Sequence, residues 1–541
     1  MFSAKKLPGR WSLVVLCLAG VLSLPCDSDA QQATRHPPNI VIIMADDLGW
    51  SDLGCYGGEI PTPHIDRLAE QGVRFTQFYN NAVCGPTRAS LLTGLWCQQL
   101  GHRGEHWNDP IDFDRCVLLS EALRRAGYRT LMVGKWQRRR LAVECGFDRF
   151  FGPMCQAKIS YFDEVVHNPW YLDRRRVKLP EDFYLTKALN HYAVEFLKEA
   201  LQQERPFFLY VAHIAPHWPL HAPEEDVQPH LERYQAGWTR LRQKRHRRQL
   251  ALGLVPPEWK PAPWPGAVPP WPQAPYPQWQ ARRMAVYAAQ VAWIDRGVGQ
   301  IVQLLRQAGQ LDNTVIFFLS DNGAAPDGGI APTRSGFGFA PGRDNSRWRL
   351  DRVPIRPGSG PDNPPGGPET FAAYGLGWAT LSCTPLRGTK SSGFEGGIRT
   401  PLVVHWPQGI TRPGALCHQV GHVVDLMPTV LELARAEYPR QLGRRRPLPL
   451  VGQSLVGAIR GEQASKERTL FWSVPWHDAV RQGRWKAVRR KRTNKWMLFD
   501  LHHDGTETTD LAARHPQRLT RLVELFQQWK AQVAHDAGRR Q

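Results

Sequence analysis

Asn39-Ile40-Val41-Ile42-Ile43-Met44-Ala45-Asp46-Asp47 is the stretch that decides the fold. From Ile40 to Ala45 no polar residue interrupts the run, and most of it is β-branched. A strand with one wet face alternates apolar and polar side chains. This one does not, so both of its faces are buried, as in a parallel sheet covered by helices. The run stops at two carboxylates. In open parallel sheets ligands gather at the carboxyl ends of the strands, so Asp46 and Asp47 are the first candidate site residues.

The pattern repeats along the chain. Residues 130–133, 206–212 and 314–319 read as further buried strands. Helices are predicted over 65–71, entered through Thr62-Pro63, from near Pro86-Thr87, over 118–126 up to Gly127, and over 283–308. Strands alternating with helices imply an α/β fold, with a large mixed, mostly parallel sheet flanked by helices on both faces. Lys135, His217 and Asp321-Asn322 each lie just past a predicted strand end, as Asp46-Asp47 do. From about residue 420 the texture changes. A helix over 425–434 precedes short strands near 470–473, 478–488 and 496–501, with Gln482-Gly483 as a hairpin turn, and a helix closes the chain within 516–531. This reads as a smaller C-terminal antiparallel sheet-and-helix domain. The 541 residues exceed one ordinary core, and the expected division is 1–30, 31–419 and 420–541. Residues 255–279, crowded with Pro and Trp, read as an extended surface excursion, and 323–370, rich in Gly, Pro and Arg, as a long irregular loop beside the site.

Residues 1–30 read as a signal peptide: Lys5, Lys6 and Arg10, then an apolar stretch over 11–24, then Ser28-Asp29-Ala30 as a cleavage site. The apolar stretch is short for a membrane span, and no other stretch looks transmembrane. Export to the periplasm or medium is expected, and the absence of any Asn-x-Ser/Thr acceptor favours a bacterial setting. Outside the signal there are eight cysteines, Cys55, Cys84, Cys97, Cys116, Cys145, Cys155, Cys383 and Cys417, without metal-type CxxC spacing. The net charge is +20 and is carried by arginine-rich clusters at 138–140, 174–176, 244–248, 444–446 and 489–492. Such clusters are a solvated exterior or a surface that attracts polyanions. No nucleic-acid-binding motif accompanies them, so nucleic acid is not expected as a partner.

Asp46-Asp47 and Ser320-Asp321-Asn322-Gly323 supply three carboxylates and an amide oxygen, hard ligands that suit Ca²⁺ or Mg²⁺. Between them stands Cys84-Gly85-Pro86-Thr87-Arg88-Ala89-Ser90-Leu91-Leu92-Thr93-Gly94. No histidine adjoins Cys84 to make a thiolate. Further on come Gly134-Lys135-Trp136-Gln137, Pro216-His217-Trp218-Pro219 and Lys390-Ser391-Ser392-Gly393-Phe394-Glu395-Gly396-Gly397-Ile398-Arg399.

In this order the motifs resemble the sulfatase family, formylglycine-dependent enzymes of the alkaline phosphatase superfamily, and among them the bacterial arylsulfatase type. The resemblance runs from about residue 38 to 533. It implies hydrolysis of sulfate esters, of an aryl alcohol or a sulfated carbohydrate. A formylglycine-generating enzyme would oxidise Cys84 to formylglycine (3-oxoalanine), whose hydrate is the nucleophile. The resemblance places Asp46, Asp47, the oxidised Cys84, Asp321 and Asn322 around one Ca²⁺, with Mg²⁺ also compatible. It assigns Lys135 and Lys390 to the sulfate, Arg88 to the formylglycine hydroxyls and His217 to protonation of the leaving oxygen. Thr87 stands where serine is commoner and keeps the hydroxyl. Two-zinc relatives carry Asp-His where this chain has Asp321-Asn322, so asparagine argues for one hard cation. The family histidine that accepts a proton when sulfate leaves is replaced by Gln137, and an amide cannot act as a base near neutral pH. His102 and His106 are candidate substitutes. Two other functions stay open: hydrolysis of phosphonate or phosphate monoesters, and a catalytically impaired protein that binds sulfated polysaccharide.

Overall fold

The computed structural model describes residues 37–102, 112–137, 140–154, 160–163, 168–332, 356, 358–462 and 467–538. The signal-peptide reading of 1–30, His106 and Cys155 lie outside the described residues. Among the described residues eleven strands form the main sheet: β1 Asn39–Ala45, β2 Val73–Tyr79, β3 Arg129–Gly134, β4 Arg149–Pro153, β5 Trp170–Leu172, β6 Arg175–Val177, β7 Phe207–Ala212, β8 Thr314–Ser320, β9 Arg399–His405, β10 Ala415–Cys417 and β11 Gly421–His422. Their order is β10-β2-β9-β8-β1-β7-β3-β4-β5-β6, with β11 also on β2. The central run β8-β1-β7-β3-β4 is parallel. β9 is antiparallel to both β8 and β2. The sheet is therefore mixed and mostly parallel, as expected.

β1 shows why its sequence does not alternate. Val41, Ile43 and Ala45 enter one apolar core, with residues of the helices Leu185–Leu201 and Pro277–Gln307. Ile40, Ile42 and Met44 enter a second core on the opposite face, with the helices Cys84–Thr93, Leu119–Arg125 and Leu426–Leu433. Period-two side chains feed both helical layers, so neither face of the strand touches water. A second sheet of β12 Thr469–Ser473, β13 His477–Gln482, β14 Trp485–Arg490 and β15 Lys495–Asp500 is fully antiparallel. It packs on the closing helix Pro516–Asp536 through Leu522, Phe526 and Trp529, and meets Tyr79, Phe394 and Ile398 of the main body.

The Pro/Trp-rich stretch is irregular and mostly exposed or half-buried, as an excursion would be, but it is pinned to the body. The buried Trp259 indole donates to the His502 carbonyl, the Ala262 amide donates to Pro385, and Trp238 donates to Pro269. The long helix after it starts at Pro277, earlier than the apolar pattern implied, because proline suits the first helical position. The basic run 244–248 is not all exterior. It lies in the helix Gly237–Ala251, and Arg245 is buried, paired with Asp52 at 2.7 Å and Glu59 at 2.7 Å.

Removing one member of a buried ion pair strands the other in a medium that solvates it poorly. Arg245→Met is expected to lower unfolding stability by about 3–5 kcal/mol in a urea titration. An unchanged midpoint would contradict this account of the 244–248 run.

Candidate active site

Four adjacent parallel strands, β8, β1, β7 and β3, end together, and hydrogen bonds beyond their last residues bind the four loops to each other. The Asp46 amide donates to Ala215 at 3.0 Å, His213 to Met44 at 2.9 Å, Lys135 to Ala212 at 2.8 Å and Asp321 to Ala45 at 3.2 Å. Neighbouring strands lie about 4.8 Å apart, so the side chains that follow them converge. Lys135 Nζ donates to Asp46 Oδ2 at 2.5 Å. Arg88 Nε donates to Asp321 Oδ2 at 2.9 Å, and its Nη2 lies 3.9 Å from Asp46 Oδ2. Lys390 Nζ donates to Asp47 Oδ1 at 2.5 Å, and Asn322 Nδ2 donates to the same oxygen at 2.6 Å. His217 Nε2 stands 3.5 Å from Asp47 Oδ2.

Cys84, a free thiol, is the first residue of its helix and is buried. Amide groups at a helix start have no partner within the helix, and the dipole there favours negative charge. The approach turn is tied by Asn81. Its amide nitrogen donates to Thr87 Oγ1 at 3.0 Å, and its side chain donates to the Pro86 carbonyl at 3.1 Å and to Ser90 Oγ at 2.9 Å. The hydroxyl kept by Thr87 is thus an acceptor in the turn. Gln137 has a left-handed backbone, φ 55°, and its Nε2 lies 3.5 Å from Cys84 Sγ. The Gln137 amide therefore reaches the cysteine. His102 is buried after the turn at Gly101.

Lys390 reaches the cluster because β9 runs antiparallel to β8, which puts the residues before Arg399 at the carboxyl end of β8. Two glycine segments then pack backbone to backbone. The Gly323 amide donates to the Gly397 carbonyl at 3.1 Å, and a Cβ on Gly323 would stand 1.8 Å from the Gly396 oxygen. Only glycine permits that approach. The His217 ring is oriented by a 2.6 Å hydrogen bond from Nδ1 to the Trp218 carbonyl.

The electrostatics follow from burial. Burial raises the pKa of Asp46, but Lys135, His217, Arg88 and Lys390 outweigh it and hold the carboxyl below the ordinary range. Burial, then the Asp46 charge, pushes Asp321 up to about 7 against the pull of Arg88 and Lys135. Burial lowers His217, and Asp47 opposes it. Burial would lower Lys390, but Asp47, Cys84 and Asp46 raise it above the usual lysine value. The donor set suits a hard cation. Asp46, Asp47 and His217 offer atoms within 4.8 Å of one another. The buried Asn322 Oδ1 accepts no hydrogen bond among the described residues.

The family model described as "Sulfatase" matches residues 38–436. The chain belongs to the sulfatase family. A second model, the C-terminal region of N-sulphoglucosamine sulphohydrolase, matches residues 389–532. The arylsulfatase of Klebsiella aerogenes is 33% identical over 84% of this chain and 98% of its own. An uncharacterized sulfatase of Schizosaccharomyces pombe is 31% identical over 93% of this chain and 95% of its own. Among solved structures, Ps i-CgsB in complex with k-i-k-neocarrahexaose aligns with a TM-score of 0.64 at 25% identity, covering 91% of this chain and 93% of that one. As a family member the protein is a sulfuric ester hydrolase.

This sulfatase brings Asp46, Asp47, Arg88, Lys135, His217, Asp321 and Asn322 into one buried cluster, with half-buried Lys390 on it and Cys84 at its side. Two further neighbours were given no catalytic role from the sequence: His213, read as local structure or substrate rim, and Asp327. Arg88 Nη2 donates to the His213 carbonyl at 3.3 Å. Burial, then the Arg88 charge, lowers the His213 imidazole to a pKa of about 3. Asp327 accepts from the Trp218 indole at 3.2 Å, and burial raises its carboxyl against the pull of Lys390. Both residues lie in stretches already read as near the site, but neither stretch carries a spacing that singles them out.

Gly323→Ala is expected to push the Gly396–Gly397 backbone away, costing about 1–3 kcal/mol in denaturant unfolding. Unchanged stability would show that the close approach is not required.

Proposed function

We propose that this sulfatase cleaves sulfate esters at formylglycine formed from Cys84, beside one divalent cation, Ca²⁺ or Mg²⁺, held by Asp46, Asp47, Asp321, Asn322 and residue 84. The observation that carries this reading is the buried position of Cys84 at the start of the helix that also carries Arg88, whose Nε is on Asp321 at 2.9 Å, with Gln137 Nε2 3.5 Å from Sγ. When bound, the cation supplies a positive centre that polarises sulfate oxygens. The formylglycine hydrate supplies the hydroxyl directed at sulfur.

The remaining work falls to this chain's side chains. Lys135 and Lys390 hold positive charge where the sulfate oxygens gather negative charge. Arg88 fixes Asp321 and faces residue 84. His217 keeps its Nδ1–H on the Trp218 carbonyl, so in the protonated ring Nε2 is the atom that gives a proton to the departing alcohol oxygen, leaving the neutral imidazole. Gln137 lies against residue 84 without the capacity to accept a proton. The polypeptide from about 420 onward serves as a C-terminal subdomain, and the mature protein is exported after a formylglycine-generating enzyme has acted.

Cys84→Ala is expected to abolish aryl sulfate release while leaving the unfolding transition in place. Retained turnover would defeat the mechanism. Saturating Ca²⁺ at about 100 times its Kd should add about 2.7 kcal/mol to the unfolding stability of the wild type, and Asn322→Ala should reduce that gain. Equal stabilisation of both proteins would remove Asn322 from the cation site. Gln137 also favours a second reading, a protein that binds sulfated glycans with impaired turnover. Gln137→His tests it: under that reading kcat rises by about 100-fold or more, whereas no change means that another group already removes the proton.

A further inference from the structure

A cleft of about 600 Å³ opens where the segment before Lys390 meets the second sheet. Its walls carry Arg387, Arg490, Lys491 and Arg492, together with Trp264 and Trp476, and no Asp or Glu is among its lining residues. Arg387 and Arg490 converge on one ring, with guanidinium carbons 4.2 Å and 6.0 Å from the Phe394 centroid. Arg387 donates to the Glu507 carbonyl at 2.8 Å. Lys491 is shared with Asp478 at 3.8 Å. Among the described residues, no carboxylate lies within ion-pair distance of Arg490 or Arg492.

Arg490 and Arg492, with no carboxylate at ion-pair distance among the described residues, leave this wall with charge for an anion. Arginine also presents a fork that matches the oxygens of a tetrahedral oxyanion. The local potential is visible at His477, the register partner of Arg490 across β13 and β14. Burial, then Arg490, Lys486 and Arg387, hold its pKa down to about 4, so its imidazole is neutral. Its buried Nδ1 has no hydrogen-bond partner among the described residues and can serve a hydroxyl. Trp476 is 68% exposed, unusual for so large an apolar ring. An exposed indole beside arginines offers a flat apolar face to the C–H face of a pyranose while its neighbours take the charge.

The cleft wall runs through Arg387, Gly388 and Thr389 and stops one residue before Lys390, whose Nζ is on Asp47. We infer that this cleft binds a second sulfated sugar unit, next to the one whose ester is cleaved, so that the substrate is a polysulfated oligosaccharide. The inference rests on the sulfatase reading for what happens at residue 84, but not for the binding itself.

Calorimetric titration with a short dextran sulfate oligosaccharide over a range of salt concentrations tests it. The pair Arg490→Ser and Arg492→Ser should weaken binding about 10-fold or more, and the slope of log Kd against log salt should fall by about two, one for each cation removed. Arg492→Ser alone, a change on an exposed side chain, should show about half of that slope change. Trp476→Ala should weaken binding about fivefold with the slope unchanged, because it removes contact area rather than charge. Unaltered affinity and slope in the arginine variants would place the polyanion elsewhere and overturn the inference. So would equally tight binding of neutral dextran, or of a single-stranded oligonucleotide of equal charge. Release from 4-nitrophenyl sulfate, measured in parallel on formylglycine-bearing protein, keeps the two readings apart. No release with glycan binding intact defeats only the chemistry at residue 84, and release with variant-insensitive glycan binding defeats only the cleft.

Discussion

Charge balance inside a dry cluster is the constraint on which the site depends. Asp46, Asp47 and Asp321 are buried side by side at the ends of two neighbouring strands, and each meets its own cation: Lys135, Lys390 and Arg88. Desolvating an ion costs several kcal/mol even after relaxation, and the attraction between partners offsets this only in good geometry. Three carboxylates could not share this volume without their cations. The same cations give the cluster its chemistry, because a group that can hold a carboxylate oxygen in a dry site can also hold a sulfate oxygen.

The sheet supplies the geometry at little entropic cost. Four of the contributing loops leave adjacent parallel strands, so the hydrogen-bond register already brings them together. Lys390 arrives differently, on a segment that must be held from outside. The second sheet does this through another buried network. Lys486 bridges Glu395 and Glu507 at 2.8 Å each, Tyr79 donates to Glu395 at 2.7 Å, and the Glu395 amide donates to Glu507 at 2.6 Å. The smaller sheet is thus joined to the site by charge as well as by apolar packing, and the arginine-rich cleft lies along this joint.

Much of this was legible in the sequence because it is written locally. Unbroken apolar runs identified β1, β3, β7 and β8, and the motif residues fall at their ends. What was not legible depends on distant partners. β2 reads Val-Arg-Phe-Thr-Gln-Phe-Tyr and shows no clean run, because its pairing with β9 is irregular between Phe75 and Phe78. The helix Gly237–Ala251 is too polar to display an apolar face, and burial of its Arg245 is decided by Asp52 and Glu59, almost 200 positions away. Trp259 stands in a proline-rich stretch that reads as surface, yet it is buried and its indole donates to the His502 carbonyl. Gln137 was recognised as a departure from the sequence, but only the fold shows that its amide reaches Cys84.

The central claim is that this cluster turns over sulfate esters through an oxidised Cys84. Its most direct test is a time course of aryl sulfate hydrolysis under excess substrate, with protein co-produced with a formylglycine-generating enzyme and the aldehyde at position 84 verified by mass spectrometry. The account predicts steady release over many turnovers. Release limited to one equivalent per aldehyde, or no release at all, would contradict it.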